Sequence, residues 1–260
     1  MIREITINTH SSIRIQGDQV IYFDPFQITE ETHDADVIFI THDHYDHFDP
    51  ASIEKILKDE TMMVIPRTCF DAWTSSGLIV TQVIQLDPGE KIDMGGLQIE
   101  TVPAYNHLKP FHPRKKGWLG YVVTVEGRRI YVAGDTDVTE ENRQVRCDIA
   151  FIPVGGKYTM NVAKAAELIN EMEPEIAVPT HYGNVVGKET DGHDFKEAIR
   201  DGIRVSLLIR FDKDEEEPEA EIEEKADEVI EEEPAVETEA EHEAETEAEP
   251  EAETEAEPEE

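Results

Sequence analysis

The spacing of apolar and polar positions along the first 211 residues separates strands from helices. Short runs that alternate between apolar and polar side chains favour half-buried strands, and the β-branched run at 37–40 favours a fully buried one. The segments between them favour helices at about 51–58, 161–172 and 193–201, with a further helix after Pro66. The pattern predicts strands over 3–8, 12–16, 20–24, 37–40, 62–65, 91–94, 97–103, 119–126, 129–133, 149–152, 175–179 and 204–209.

These elements fall into two halves that are rich in strands, and each half ends in strand–helix units. Halves of this kind pack through their sheets and leave their helices outside. We therefore predict an α+β fold over residues 1–211, arranged as a four-layer helix–sheet–sheet–helix (αβ/βα) sandwich. In such a sandwich the loops at the strand ends can meet at one rim of the two sheets.

The densest group of potential metal ligands directly follows the strand predicted at 37–40. The seven residues Thr41-His42-Asp43-His44-Tyr45-Asp46-His47 contain three histidines and two aspartates. Imidazole nitrogens and carboxylate oxygens are the donors that bind zinc and similar divalent ions in proteins. A polar loop without a ligand rarely places four such donors within six residues. We interpret this loop as one part of a metal site.

Three later segments share a common layout, in which an apolar strand leads into a residue of metal-ligating type. In chain order these residues are His107, Asp135 and His181. Because loops at strand ends are held by a rigid scaffold, side chains from several of them can converge on one site. The repeated layout favours a site that is assembled from several loops.

Taken together, His42-x-His44-x-Asp46-His47 and the three later residues resemble the ligand pattern of metallo-β-lactamase-fold hydrolases. The resemblance covers roughly residues 1–210. Finer details are similar to the branch of metal-dependent hydrolases that includes L-ascorbate-6-phosphate lactonase. Those details are His10 after the first strand, the turn Gly134-Asp135-Thr136, the helix start Thr159-Met160-Asn161 and the segment Pro179-Thr180-His181-Tyr182-Gly183.

Carried over position by position, the resemblance implies two metal ions. The first would be bound by His42, His44 and His107. The second would be bound by Asp46, His47 and His181, with Asp135 bridging the two ions. Oxygen-reducing flavo-di-iron proteins share this fold but carry a carboxylate where this chain has His44, so an all-nitrogen first triad favours zinc over iron. Manganese stays open because the second triad mixes carboxylate and imidazole.

Such a ligand set implies a hydrolytic mechanism. Two divalent ions about 3.5–4 Å apart can share a water and lower its pKa towards about 7. This supplies a metal-bridged hydroxide as the nucleophile, and the chain contains no G-x-S-x-G motif for a serine nucleophile. We predict a dinuclear hydrolase of a small, anionic ester, lactone or phosphoester. Asp46 and Asp135 are its predicted catalytic carboxylates, with Asp46 accepting a proton from the attacking water.

Several further residues are candidates for contact with the substrate. A basic segment at 109–116 can attract an anion towards the metals, although an ordinary solvated loop has the same composition. The histidine at the end of the first strand can reach the site or simply pack on the sheet. The candidates are His10, His112, Arg114, Lys157, Tyr158 and Tyr182.

Residues 212–260 differ in composition from everything before them. They contain 27 aspartates and glutamates against two lysines, and so carry 25 of the 37 net negative charges of the chain. The octapeptide at 243–250 recurs unchanged at 251–258. A segment with so few large apolar residues cannot bury enough surface to offset the entropy of ordering. We predict a disordered acidic tail. Such a tail can bind a basic protein partner, bind cations weakly or keep the protein in solution, and these alternatives stay open.

Composition also bears on partners and compartment. The acidic charge and the absence of a broad basic face argue against a nuclease or phosphodiesterase acting on nucleic acid, which is the first alternative function. A metal-binding scaffold whose tail recruits a partner is the second, and homo-oligomerisation stays open. The chain has no apolar run of about 18 residues, so no membrane span is predicted. Two cysteines and no apolar leader favour a reducing, cytoplasmic setting with buried thiols.

Overall fold

Two β-sheets form the centre of the computed structural model, which describes residues 2–211. The predicted acidic tail at 212–260 lies outside the described residues, so its disorder stays a prediction. The strands in chain order are β1 Glu4–Ile7, β2 Ile13–Gln16, β3 Val20–Phe23, β4 Val37–Phe39, β5 Met62–Pro66, β6 Gln82–Leu86, β7 Lys91–Met94, β8 Leu97–Pro103, β9 Leu119–Val125, β10 Arg128–Val132, β11 Ile149–Pro153, β12 Ile176–Thr180 and β13 Arg204–Val205.

Each sheet changes from antiparallel to parallel pairing along its width. The first sheet has the order β1-β2-β3-β4-β5-β6, antiparallel up to β3 and parallel from β3 onward. The second has the order β13-β12-β11-β10-β9-β8-β7, with antiparallel pairing from β7 to β10 and parallel pairing from β10 to β13. Parallel neighbours present their carboxyl ends at the same edge, so the loops after them lie side by side.

Alternation along the strands of the first sheet supplies two apolar layers. Ile21 and Phe23 belong to the core between the two sheets, whereas Tyr22 belongs to the outer core beneath the helices. The neighbouring strand has the same division, with Phe39 facing the second sheet and Ile38 facing outward. Because a strand of this sheet is covered on both faces, its sequence reads as a continuous apolar run.

Helices cover the outer faces of the sheets. They are α1 Pro50–Ile56, α2 Phe70–Ser76, α3 Glu140–Arg143, α4 Val162–Met172 and α5 Asp191–Ala198. The Asp49 side chain caps α1 and the Asn161 side chain caps α4, each by accepting a backbone N–H of the first turn. Ile53 of α1 packs in the outer core of the first sheet, and Leu168 of α4 packs against the second sheet. The predicted four-layer sandwich is confirmed.

The two sheets are joined closely where β4 ends. The Tyr121 hydroxyl donates a hydrogen bond to the carbonyl oxygen of Ile40 at 2.7 Å, and the Leu119 N–H donates to the carbonyl oxygen of Thr41 at 3.0 Å. Gly134 has φ +62° here, and a Cβ on it would lie 3.0 Å from the Cβ of Thr41. Only glycine fits this backbone conformation and this close approach without strain. The loop at 41–47 is therefore held against the loop that carries Asp135.

Two smaller predictions can be compared with the described residues. Between residues 2 and 211 no helix combines the length and the apolar character needed to cross a lipid bilayer. Both cysteines are free thiols, with Cys69 buried and Cys147 half-buried, and burial raises the pKa of Cys147 to about 12. A thiol with so high a pKa is an unreactive packing residue at neutral pH. The cytoplasmic setting stays a prediction.

Candidate metal centre

The loop after β4 folds back on itself and brings its histidines together. The N–H groups of His47 and Phe48 both donate to the carbonyl oxygen of His44, at 3.0 and 2.8 Å. This tight turn leaves His42 and His47 buried beneath the loop, while His44 is partly exposed. The ring centroids of His42 and His47 lie 4.0 Å apart. One loop therefore supplies several donors to the same small volume.

Three histidines form one donor group. The Nε2 atom of His42 lies 3.2 Å from the Nδ1 atom of His44, and the ring of His112 lies 5.1 and 4.8 Å from these two rings. Donor atoms of the three residues all lie within 4.8 Å of one another. The buried indole of Trp118 contacts all three rings, with centroid distances of 4.8 to 5.2 Å. We call His42, His44 and His112 the open group, because His44 reaches the surface.

Four buried residues form a second donor group, which we call the closed group. Its members are His10, Asp46, His47 and His181, and their donor atoms also lie within 4.8 Å of one another. Asp46 Oδ2 lies 3.0 Å from His10 Nε2 and 3.7 Å from the Nε2 atoms of both His47 and His181. The group thus gathers residues from the end of β1, the loop after β4 and the end of β12.

Asp135 lies between the two groups, in the loop after β10. Its Oδ2 atom is 3.1 Å from the Nε2 atom of His112 in the open group and 3.1 Å from that of His181 in the closed group. Its Oδ1 atom is 3.2 Å from the Nε2 atom of His47. A single buried carboxylate therefore reaches histidines of both groups.

Asp24, at the end of β3, fixes the orientation of the loop histidines. Its carboxylate accepts hydrogen bonds from the Thr41 N–H at 2.8 Å, from the Thr41 hydroxyl at 2.7 Å and from His47 Nδ1 at 2.7 Å. The Thr41 oxygen lies 3.0 Å from His42 Nδ1. With the Nδ1 atoms of His42 and His47 engaged, their Nε2 atoms face Asp135. A carboxylate behind a histidine in this way is typical of metal sites.

The polar atoms that face the centre fit metal ions as their partners. His47 Nε2, His112 Nε2, His181 Nε2 and Asp135 Oδ1 are buried and have no hydrogen-bond partner within residues 2–211, although they lie only 3.1 to 3.2 Å from their neighbours. Buried polar groups are normally hydrogen-bonded, because an unsatisfied one costs about 1–3 kcal/mol. Nitrogen and oxygen atoms this close without hydrogen-bond geometry are arranged as the ligands of a shared cation.

The electrostatics of the centre also favour bound positive charge. Burial disfavours a charged His47, yet Asp135, Asp46 and Asp24 raise its pKa well above the usual value. Burial and the neighbouring His47 lower the pKa of His42 well below the usual value. Burial disfavours the carboxylate of Asp135, but the neighbouring imidazoles of His181 and His47 outweigh it and hold that pKa well below the usual value. The carboxylates of Asp46 and Asp135, whose pKa values are lowered, and the raised pKa of His47 together mark a buried place that attracts positive charge.

His107, predicted as a ligand of the first metal, lies outside both groups. Its exposed ring packs on Tyr105, with centroids 5.1 Å apart, and its Nε2 atom lies 3.1 Å from the carbonyl oxygen of Val138. The loop closes on itself through the Asn106 N–H, which donates to the carbonyl oxygen of His112 at 2.8 Å. This closure turns His107 outward and His112 inward. His112, predicted as a substrate contact, thus occupies the position expected for His107.

The other predicted substrate contacts are distributed around the centre. Arg114 is exposed and pairs with Glu141, its guanidinium lying over the ring of Tyr105. Lys157 is exposed, with its ammonium 5.6 Å from the ring centroid of Tyr158. Neither side chain belongs to the donor groups.

Tyr158 and Tyr182 differ in their surroundings. Tyr158 is half-buried against Phe111, and its carbonyl oxygen accepts a hydrogen bond from the Asn106 side chain at 2.6 Å. Tyr182 is only 2% exposed and packs against Phe211 and Gly192 in the core, so the structure does not bring it to the centre.

Sequence reasoning missed Asp24, Asn106 and Trp118 as residues that hold the centre. Asp24 ends a strand that pairs in parallel with the strand before the histidine loop, so the shared edge was a signal for it. Asn106 and Trp118 act through a loop closure and through ring packing, for which the linear sequence carries no such signal.

Comparison with known proteins identifies the family of this chain. The family model described as a beta-lactamase superfamily domain matches residues 4–181. The chain belongs to the beta-lactamase superfamily. A UPF0173 metal-dependent hydrolase of Thermoplasma acidophilum is 31% identical over 202 residues, which span 72% of this chain and 86% of that protein.

Solved structures of other proteins share the fold. A metal-dependent hydrolase structure from Parabacteroides distasonis is 32% identical with a TM-score of 0.67, covering 78% of this chain and 91% of that one. The diiron β-hydroxylase CmlA of Streptomyces venezuelae has a TM-score of 0.60 at 14% identity, covering 80% of this chain and 54% of that one, and shows the fold alone. The predicted family and the general class of metal-dependent hydrolase are confirmed, and the lactonase branch stays a prediction.

Proposed function

We propose that this chain is a dinuclear hydrolase that cleaves a small, anionic ester, lactone or phosphoester. The observation that carries the proposal is the position of Asp135, whose Oδ2 atom is 3.1 Å from a histidine of the open group and 3.1 Å from a histidine of the closed group. A carboxylate between two donor groups is suited to bridge two ions. Two ions held close together are the arrangement that many hydrolases of esters and phosphoesters use.

The ligand assignment follows the two donor groups. His42, His44 and His112 would hold one ion, with His112 in the place predicted for His107. Asp46, His47 and His181 would hold the other, and Asp135 would contact both. The nitrogen-rich open group favours zinc, and the mixed closed group also accepts manganese. When bound, such ions lower the pKa of water towards neutrality and polarise a carbonyl or phosphoryl oxygen.

The carboxylates of the chain have a defined part in this reaction. Burial disfavours ionisation of Asp46, but His47, His10 and His181 outweigh it and lower its pKa, so Asp46 is ionised at neutral pH. Asp135 is held ionised in the same way. Both carboxylates can accept hydrogen bonds from an attacking water and orient it towards the substrate. Asp46, as proposed from the sequence, would take up the proton that this water loses.

A lysine close to the open group supports an anionic substrate. The ammonium of Lys116 lies 5.2 Å from the ring centroid of Trp118, and this ring contacts all three histidines of the open group. Lys116 is exposed, whereas Arg114 in the same segment is paired with Glu141. A positive charge at this place raises the local concentration of anions even in an acidic protein.

The proposal is tested by hydrolysis assays on apoprotein and zinc-loaded protein with a panel of lactones, carboxyl esters and phosphodiesters. His112→Ala should lose at least about 100-fold in kcat/KM on any substrate found, because an ion would lose a ligand. His107→Ala is the matched control and should stay within about threefold. Activity that is independent of metal, or that is lost in His107→Ala and kept in His112→Ala, would contradict the proposal.

A further inference from the structure

We propose that His10 is a further protein ligand of the ion in the closed group, and that this group keeps its ion when the open group has lost its own. The inference rests on the proposed dinuclear function and assigns unequal roles to the two ions. The ion in the closed group would be a resident part of the enzyme. The ion in the open group would be the exchangeable one.

The backbone fixes His10 at the centre. His10 follows β1 in the left-handed conformation, with φ +52°, and its carbonyl oxygen accepts a hydrogen bond from the His181 N–H at 3.0 Å. A left-handed histidine is uncommon and costs conformational energy unless its surroundings compensate. Here that conformation places the ring centroid of His10 3.8 Å from that of His181, and His10 is fully buried.

The donor atom of His10 is at a distance expected for a ligand. Its Nε2 atom lies 3.0 Å from Asp46 Oδ2 and within 4.8 Å of donor atoms of His47 and His181. When five ligands surround one zinc ion at about 2.1 Å, neighbouring ligand atoms lie about 3.0–3.6 Å from one another.

The two groups differ in ligand number and in access to water. With His10 the closed group supplies four ligands of its own, all of them buried, in addition to the shared Asp135. The open group supplies three, of which His44 is partly exposed at the surface of its loop. An ion with more ligands and less access to solvent dissociates more slowly. The closed group should therefore release its ion last.

Trp118 provides a local readout of the open group. The chain has two tryptophans, and Trp73 packs on Phe70 in α2, away from both donor groups. In a Trp73→Phe background the fluorescence therefore comes from Trp118, which touches the three histidines of the open group. Zinc bound by those rings changes the surroundings of the indole, so its loss should change the emission.

The experiment uses the full chain loaded with zinc and dialysed against increasing concentrations of a chelator. Zinc per chain is measured by elemental mass spectrometry, and Trp118 emission is measured on the same samples. The first zinc should leave together with the change in emission, and the second should stay to a chelator strength at least about tenfold higher. His44→Gln should remove only the zinc that leaves first.

Two substitutions at His10 separate a ligand from a hydrogen-bonding support. His10→Ala and His10→Gln should both lower the affinity for the zinc that is released last by about 10- to 100-fold. A glutamine amide can donate a hydrogen bond to Asp46 but binds zinc poorly. His193→Ala, at an exposed histidine of α5, is the control and should leave the retention of both zinc ions unchanged. Thermal unfolding of each apoprotein checks that the variants fold.

Three outcomes would overturn the proposal. If His10→Gln retains the closed-group zinc as firmly as wild type, His10 only holds Asp46 in place by a hydrogen bond. If the closed-group zinc leaves before Trp118 emission changes, the order of zinc release is the opposite of the one proposed. Each of these results would leave the dinuclear hydrolase standing. A chain that binds no zinc in either group would instead refute the proposed function, and the role of His10 would fall with it.

Discussion

Replacing Asp24 by asparagine should weaken the binding of metal to the closed group without removing any ligand. Asp24 is fully buried, and its two oxygens accept three hydrogen bonds of 2.7 to 2.8 Å, two from Thr41 and one from His47. An asparagine has nearly the same shape but only one accepting oxygen. The NH2 group of the asparagine would face N–H or O–H donors of Thr41 or His47, so at least one of these hydrogen bonds is lost. The neutral side chain would also hold the His47 ring less firmly.

The expected size of the effect follows from these contacts. Loss of a carboxylate behind a metal-binding histidine typically weakens metal affinity by about 10- to 100-fold, or about 1.4–2.7 kcal/mol. A buried donor left without an acceptor also destabilises the apoprotein by about 1–3 kcal/mol. Both effects should appear together in Asp24→Asn, in zinc titrations against a competing chelator and in chemical unfolding of the apoprotein.

Asp34→Asn is the matched control for this prediction. The Asp34 carboxylate also accepts three side-chain hydrogen bonds, from Arg14, Tyr22 and Thr32, at 2.7 to 2.9 Å. It lies in the segment between β3 and β4, and neither it nor its partners belong to a donor group. Asp34→Asn should lower stability and leave zinc affinity unchanged. Unchanged zinc affinity in Asp24→Asn would refute the argument that Asp24 acts through His47. An equal loss of zinc affinity in Asp24→Asn and Asp34→Asn would refute it as well.

Three further predictions concern charge, packing and pH. Lys116→Ala should raise KM for anionic substrates several-fold at low salt and little at high salt, because salt screens exposed charges. Lys196→Ala is the control, and a rise in KM that does not depend on salt would contradict this. Gly155→Ala should destabilise the protein by about 1–3 kcal/mol in thermal unfolding, since its Cβ would lie 2.2 Å from the His181 carbonyl oxygen, and a wild-type melting curve would contradict it. Burial opposes ionisation of Asp34, but its hydrogen bonds, led by that from Arg14, lower its pKa. Its contribution to stability is therefore present above the usual pKa of about 3.9 and is lost as the pH falls through the lowered value. The stability difference between wild type and Asp34→Asn should close in acid, and a constant difference would be the contrary result.

The residues of the centre that lie directly after buried strands could be predicted from the sequence. His42, Asp46 and His47 follow one apolar run, and Asp135 and His181 follow two others, so the topology of parallel strands brings them to one edge. Short continuous runs of apolar, β-branched residues indicate such strands, because both of their faces are covered. Most of the centre is therefore recognisable from the order of strands and ligand-type residues along the chain.

The choice between His107 and His112 could not be made in the same way. Both follow the strand β8 within a few residues, and only the hydrogen bond from Asn106 to the backbone of His112 decides which ring points inward. A loop closure of this kind depends on contacts with Tyr158, far along the chain. Local sequence carries little information about it, because either ring satisfies the same pattern of donors.

Some elements of the fold escaped prediction for related reasons. The edge strand β6 at Gln82–Leu86 has polar residues at two of five positions and pairs on one side only, so its pattern is weak. The helix α3 at Glu140–Arg143 spans one turn and is held by a capping box between Thr139 and Asn142, not by an apolar face. Tyr182 adjoins His181 in sequence, but the sharp turn at His181, with φ +59°, directs it into the core.

The measurement that tests the dinuclear centre most directly is the number of metal ions per chain in wild type and in Asp135→Asn. The metal content should be measured by elemental mass spectrometry on protein that was purified without a metal-affinity column and reloaded with zinc. Wild type should hold about two ions per chain, and Asp135→Asn should hold fewer under the same dialysis, because Asp135 reaches histidines of both groups. A wild-type chain that holds one ion, or a variant that holds both as firmly as wild type, would contradict the dinuclear centre bridged by Asp135.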